Sequence, residues 1–100
     1  MREHLTALLL VALWILWQEV GDLGKEGEWT YKDAFQTKQE CETNREGYYI
    51  GVESGFNKVD GFVAQRLNEM ILIVDKNSKK IIKSSFKCIP ESIDPRQPKR

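Results

Sequence analysis

Cys41 and Cys88 are the only two cysteines in a chain of 100 residues, and no other feature constrains its folding as much. A chain this short hides only about 60 to 65 percent of the surface its unfolded form exposes, so its core is marginal. If the two pair, they close a separation of 47 residues (88 minus 41). Such a cross-link stabilises a fold by about 4 kcal/mol on the chain-entropy model, a large share of the roughly 5 to 10 kcal/mol expected in total. Pairing also marks an oxidising compartment, whereas unpaired thiols would suit a cytosolic domain; Cys41 and Cys88 are read first as a structural disulfide, and second as two unpaired structural thiols. Zinc would ask for a second pair of ligands. A reactive thiol would ask for a base, and the single histidine is His4, at the extreme N-terminus.

The N-terminal segment speaks to the compartment. From Leu5 to Trp17 the only polar side chain is Thr6, and Arg2 precedes the run. As a helix these 13 residues would span about 20 Å, short of a hydrocarbon core of roughly 30 Å, so no transmembrane span is expected beyond an uncleaved signal. The length fits the apolar region of a secretory signal, and residues 1–17 are read as an export segment overlapping a first strand from Trp14. No small-x-small pair closes the run, because Leu10 lies two positions before Ala12, and the cleavage point is not legible. The protein is expected to be periplasmic or secreted, the alternative being cytoplasmic.

Fifteen basic and fifteen acidic residues cancel, but unevenly along the chain: residues 1–50 carry five Lys/Arg and nine Asp/Glu, residues 51–100 ten and six. This balance argues against nucleic acid as the partner, since phosphate binding is driven by concentrated positive charge.

Pattern then gives the elements. Trp14–Val20 is rich in strand-favouring residues and stops at Gly21-Asp22; Glu28–Phe35 alternates Trp29 and Tyr31 against Thr30 and Lys32. Thr37-Lys38-Gln39-Glu40 is a capping box that starts a helix with Cys41 in its first turns. Gly47, Gly51 and Gly55 predict a break between Asn44 and Asn57, because each weakens a helix interior by about 1 kcal/mol. Val59, Phe62, Val63, Leu67 and Met70 fall on one helical face and predict a second helix over Lys58–Glu69. Met70–Val74 and Ile81–Ile89 read as strands, the latter directing Ile82, Ser84, Phe86 and Cys88 to one face and Lys83, Ser85 and Lys87 to the other. The expected fold is α+β: a small antiparallel sheet of about four strands, in the order strand, strand, helix, strand, strand, with helix on one face. Residues 14–90 form one domain and 91–100 an extended or disordered tail.

Few residues offer chemistry. The carboxylates of Glu26 with Glu28, and Glu40 with Glu42, sit in a polar loop and on a solvated helix end, and the glycines match no phosphate-binding pattern. No catalytic residue, metal or cofactor is expected. Lys76, Lys79, Lys80, Lys83 and Lys87 are read first as guards of an edge strand, and second as a surface for an anionic partner. Trp14, Trp17, Trp29 and Tyr31 are read first as cross-strand core pairs, and second as an exposed aromatic platform.

Several of these stretches together, Trp14-Ile15-Leu16-Trp17, Trp29 before Ala34-Phe35, Thr37–Cys41 and the closing Cys88-Ile89-Pro90-Glu91-Ser92-Ile93-Asp94-Pro95-Arg96, resemble a group of short uncharacterised exported bacterial proteins. Their shared features are an export signal, a tryptophan-rich first strand, a helix with an early cysteine and a closing Cys-x-Pro-[Asp/Glu]-[Ser/Thr]-[Ile/Val]-Asp-Pro-Arg motif. The resemblance implies a small exported domain and brings no assigned residues. The expectation from sequence is a non-enzymatic, disulfide-stapled exported domain with a binding or cell-envelope role and a protein or envelope partner. The alternative is a cytosolic or membrane-apposed module that binds an anionic polymer through its lysines.

Overall fold

The computed structural model describes residues 12–97. Its elements are β1 (Trp14–Asp22), β2 (Glu28–Phe35), α1 (Lys38–Asn57), β3 (Phe62–Leu67), β4 (Met70–Asp75) and β5 (Ile81–Pro90). The class is α+β as expected, but the sheet has five strands, not four, in the spatial order β2-β1-β5-β4-β3 and antiparallel throughout. Residues 1–11, the bulk of the expected export segment, lie outside the described residues. Its last four residues, Trp14–Trp17, belong to β1, where Leu16 is fully buried.

Two sequence expectations fail for a common reason, the burial available in the folded sheet. The helix does not break: α1 runs 20 residues through all three glycines. Thr37 starts it with a complete capping box, its hydroxyl accepting from the Glu40 N–H (3.0 Å) while the Glu40 carboxylate accepts from the Thr37 N–H (3.2 Å). Cys41, Tyr49 and the partly buried Tyr48, Val52 and Phe56 then pack against the sheet. Gly47, Gly51 and Gly55 lie away from that stripe, where an added Cβ would meet nothing. Burial of five side chains outweighs a propensity deficit of about 3 kcal/mol summed over three glycines.

The second helix over Lys58–Glu69 is instead strand β3. Its pairing with β4, from Phe62↔Asp75 to Leu67↔Met70, turns through Asn68-Glu69. Asn68 takes φ 57°, a left-handed conformation that asparagine tolerates better than most residues. The helical periodicity of Val59 to Met70 is coincidental: in the strand, Phe62, Ala64 and Arg66 face the helix, and Val63 and Leu67 are exposed.

The core lies between α1 and the sheet, built from Leu16, Cys41, Tyr49, Ala64, Ile71, Ile73 and Phe86. Tyr49 does more than fill it. The β4–β5 ladder ends at Ile71↔Ser84, so the backbone of Phe86 has lost its strand partner on that side. The Tyr49 hydroxyl takes the place of that partner, accepting from the Phe86 N–H at 3.0 Å and donating to the Glu69 carbonyl. Its ring meets Phe86 edge-on at 5.1 Å, with the Arg66 guanidinium 4.2 Å from its centroid on another side. Burial pushes the Tyr49 pKa above its ordinary value.

Helix side chains also seal the outer edge of β3. Asn57 Oδ1 accepts from the Ala64 N–H (2.8 Å), Asn57 Nδ2 donates to the Ala64 carbonyl (3.0 Å), and Glu53 Oε2 accepts from the Arg66 N–H (3.2 Å). An unpaired strand edge invites another chain, and here the molecule's own helix occupies the pairing groups. Finally, Cys41 in the first turn of α1 and Cys88 on β5 form a disulfide, with Cα atoms 6.1 Å apart. The bond ties the helix start to the central strand of the sheet.

Candidate binding cleft on the outer face of the sheet

The face opposite the helix is where chemistry-bearing side chains gather. Antiparallel register places cross-strand partners on the same face. Across β2-β1-β5 it sets Trp29 beside Glu19 and Ser85, Tyr31 beside Trp17 and Lys87, and Ala34 beside Ile15 and Ile89. Trp17 and Tyr31 meet edge-to-face at 6.1 Å. The Lys87 ammonium stands 6.0 Å from the Trp29 ring centroid. Lys32 is the bulged residue, since Leu16 pairs with Asp33 and Trp17 with Tyr31.

Ile15 and Trp17 are buried although no helix covers them. Residues 91–97, expected as an extended tail, instead fold into turns. Glu91 donates its N–H to the Leu13 carbonyl (2.9 Å) and accepts from the Leu13 N–H through its side chain (3.2 Å), extending the β1–β5 pairing by one step. The Asp94 carboxylate accepts from Arg96 Nε (3.0 Å), Arg96 Nη2 (2.8 Å) and the Arg96 N–H (2.9 Å). The guanidinium so held lies 4.9 Å from the Trp17 ring centroid. The same contacts hold the Asp94 pKa down at about 2. The tail is ordered by local chemistry: Pro95, a bidentate ion pair and an aromatic seat for the cation.

Between this turn and the sheet lies a cleft of about 810 Å³. Pro95, Arg96 and Gln97 form one rim; Lys87, Ile89 and Trp29 line its base; Glu19 and the segment Glu26–Glu28 form the other side. Gly27 is required by this geometry, because a Cβ there would stand 2.7 Å from Glu19 Cγ and 2.8 Å from the Val20 carbonyl oxygen. The bare backbone lets the Gly27 N–H donate to Glu19 Oε2 at 3.2 Å, which fixes the carboxylate in the cleft wall. The Trp17 indole N–H is buried without a hydrogen-bond partner.

The residues singled out in the sequence are thus distributed in a definite way. Trp17, Trp29 and Tyr31 share the outer face, whereas Trp14 lies on the helix side, packed against the core with the Lys38 ammonium 5.6 Å from its ring. Lys83 and Lys87 are not on an edge strand, because β5 is central in the sheet, so edge guarding does not explain them. Lys76, Lys79 and Lys80 belong to the β4–β5 connection, where Lys80 approaches Asp22 at 3.7 Å. The five lysines therefore divide between β5 and its connection to β4, while Lys87 joins an aromatic group that sequence neighbours do not reveal. Glu19, Ile89 and Arg96 were not singled out; the alternation of β1 and β5 carried the signal for the first two, and the Asp-x-Arg spacing of the closing motif for the third.

Both cysteines are consumed by the disulfide. Among the described residues no group of three or more His, Cys, Asp or Glu side chains is arranged to hold a metal ion, and no helix is long and apolar enough to cross a membrane. No protein-family model, curated protein or solved structure matches this chain.

Proposed function

We propose that this chain is a small exported binding domain, stapled by Cys41–Cys88, that serves the cell envelope through the outer face of its sheet and carries no catalytic chemistry of its own. The observation behind this reading is the inequality of the two faces. The helix and core occupy one; the other presents Trp29, Tyr31 and Lys87 beside an open cleft rimmed by the closing turn. A concave site of mixed lining on a rigid sheet suits recognition. Export is supported by the disulfide, since such bonds persist in oxidising compartments.

The test is retention on washed cell-envelope material by the full chain and by the double variant Trp29→Ala with Tyr31→Ala. Retention is expected to vanish in the variant without loss of the cooperative melt, because Tyr31 is exposed and Trp29 half-buried. Equal retention by both proteins would overturn the reading. An anionic polymer remains a second reading, favoured by Lys83 and Lys87 on the aromatic face. It predicts binding that falls steeply with salt and is lost in Lys83→Glu with Lys87→Glu.

A further inference from the structure

The composition of the cleft distinguishes among the ligands a binding domain could take. A polyanion is disfavoured, because two carboxylates (Glu19 and Glu26) stand beside one ammonium, from Lys87, and one guanidinium, from Arg96, which Asp94 already neutralises. A peptide added as an extra strand finds neither edge inviting: helix side chains seal β3, and β2 carries a bulge at Lys32, a device that breaks edge pairing. A lipid chain would need an apolar channel, and here charged groups interrupt the lining.

What remains is a set of acceptor-only carboxylates, a donor-only ammonium and the Gln97 amide around an indole ring. A neutral polyol matches it. Each hydroxyl both donates and accepts, so one ligand satisfies carboxylate and ammonium together without bringing a charge that either would repel. The C–H face of a pyranose supplies the apolar surface that Trp29 lacks on its solvent side. The Lys87 ammonium, 6.0 Å from the ring centroid on a flexible four-carbon stem, is free to swing from the indole to a ring hydroxyl. We infer that the cleft binds a neutral pyranose oligosaccharide, with Trp29 as the stacking platform, Glu19 as hydroxyl acceptor and Lys87 as donor. This inference rests on the reading of the outer face as the binding surface and adds the chemical class of its ligand.

The experiment is an NMR titration of the full isotopically labelled chain with a neutral N-acetylhexosamine tetrasaccharide, a neutral hexose tetrasaccharide and, as contrast, a short linear polyphosphate. Saturable shifts are expected at the Trp29 indole N–H and the Gly27 and Gln97 amides with at least one of the two sugars, while the Trp14 indole on the opposite face stays in place. Trp29→Ala should weaken that affinity at least roughly tenfold, as removal of a central aromatic anchor does. Lys87→Gln, which keeps a donor, should weaken it less than Lys87→Ala. Absence of saturable shifts with both sugars at millimolar concentration, or larger cleft shifts with polyphosphate, would overturn the assignment. If sugars fail while envelope retention still depends on Trp29, the ligand class is wrong and the binding-domain reading stands; if retention also ignores Trp29, both fall.

Discussion

Replacing Tyr49 by phenylalanine removes one oxygen from the core and leaves its packing in place. The ring still meets Phe86 edge-on, and the Arg66 guanidinium still lies over its face, so no cavity opens and the cation–π contact survives. What disappears is the acceptor for the Phe86 N–H, at a point where β5 has no strand beside it on the β4 side, and the donor to the Glu69 carbonyl. A buried N–H left without a partner costs about 1 to 3 kcal/mol, and the lost bond to Glu69 adds about 1. Tyr49→Phe is therefore expected to destabilise the fold by about 2 to 4 kcal/mol. For a domain of this size that lowers Tm by roughly 10 to 30 °C. Urea unfolding should show a lower midpoint with an unchanged slope, and the Phe86 amide should lose hydrogen-exchange protection. The pH dependence follows from the same group. Because the folded-state pKa of Tyr49 is raised, the unfolded chain gives up this proton first; the stabilisation is intact below about pH 10 and is lost as pH rises through the folded value. Tyr49→Phe should show a shallower alkaline decline. A loss under about 0.5 kcal/mol, with Phe86 as protected as in the parent, would show that the Tyr49 hydroxyl is not what satisfies the Phe86 N–H.

Other perturbations probe the remaining devices of the fold. Gly51→Ala, in a helix interior where the new methyl meets nothing, should stabilise the protein by about 0.5 to 1 kcal/mol in the same urea assay; destabilisation would mean that the position is in contact. The turn that covers Trp17 should resist acid unusually well. Since Arg96 holds Asp94 down at about 2, the pair persists below the ordinary carboxylate range and opens only as pH falls through about 2, which the Trp17 indole resonance would report. Asp94→Asn should move that resonance at neutral pH toward its acid position, and an unmoved resonance would show that the carboxylate does not orient Arg96. Cys41→Ser with Cys88→Ser should cost about 4 kcal/mol for a loop of 47 residues, and a loss under about 1 would show that the clasp adds little to the fold.

The parts of the structure legible in sequence were those written locally. The capping box at Thr37 placed the helix start, alternation placed β1, β2 and the faces of β5, and turn residues bounded them. Local rules misled where a non-local partner decided the outcome. Three glycines suggested a break in α1, but the sheet surface beneath Tyr48, Tyr49, Val52 and Phe56 holds the helix together. A chance helical spacing from Val59 to Met70 concealed β3, whose stability comes from pairing with β4 and from Asn57 and Glu53 at its edge. The candidate cleft was legible only in pieces. Trp29 and Lys87 were each singled out, yet their meeting depends on β1 lying between β2 and β5, a strand order that no local pattern encodes. Prolines and charges give the closing motif the composition of a tail; the bidentate Asp94–Arg96 pair and the indole beneath it fold that composition into a turn.

The proposed exported domain clasped between Cys41 and Cys88 is tested by one mass measurement on the protein recovered from outside the cytoplasm, digested without reduction after alkylation of free thiols. A single cross-linked species is expected, joining the peptide that contains Cys41 to the peptide that contains Cys88, with no alkylated cysteine. Two separately alkylated peptides would contradict it.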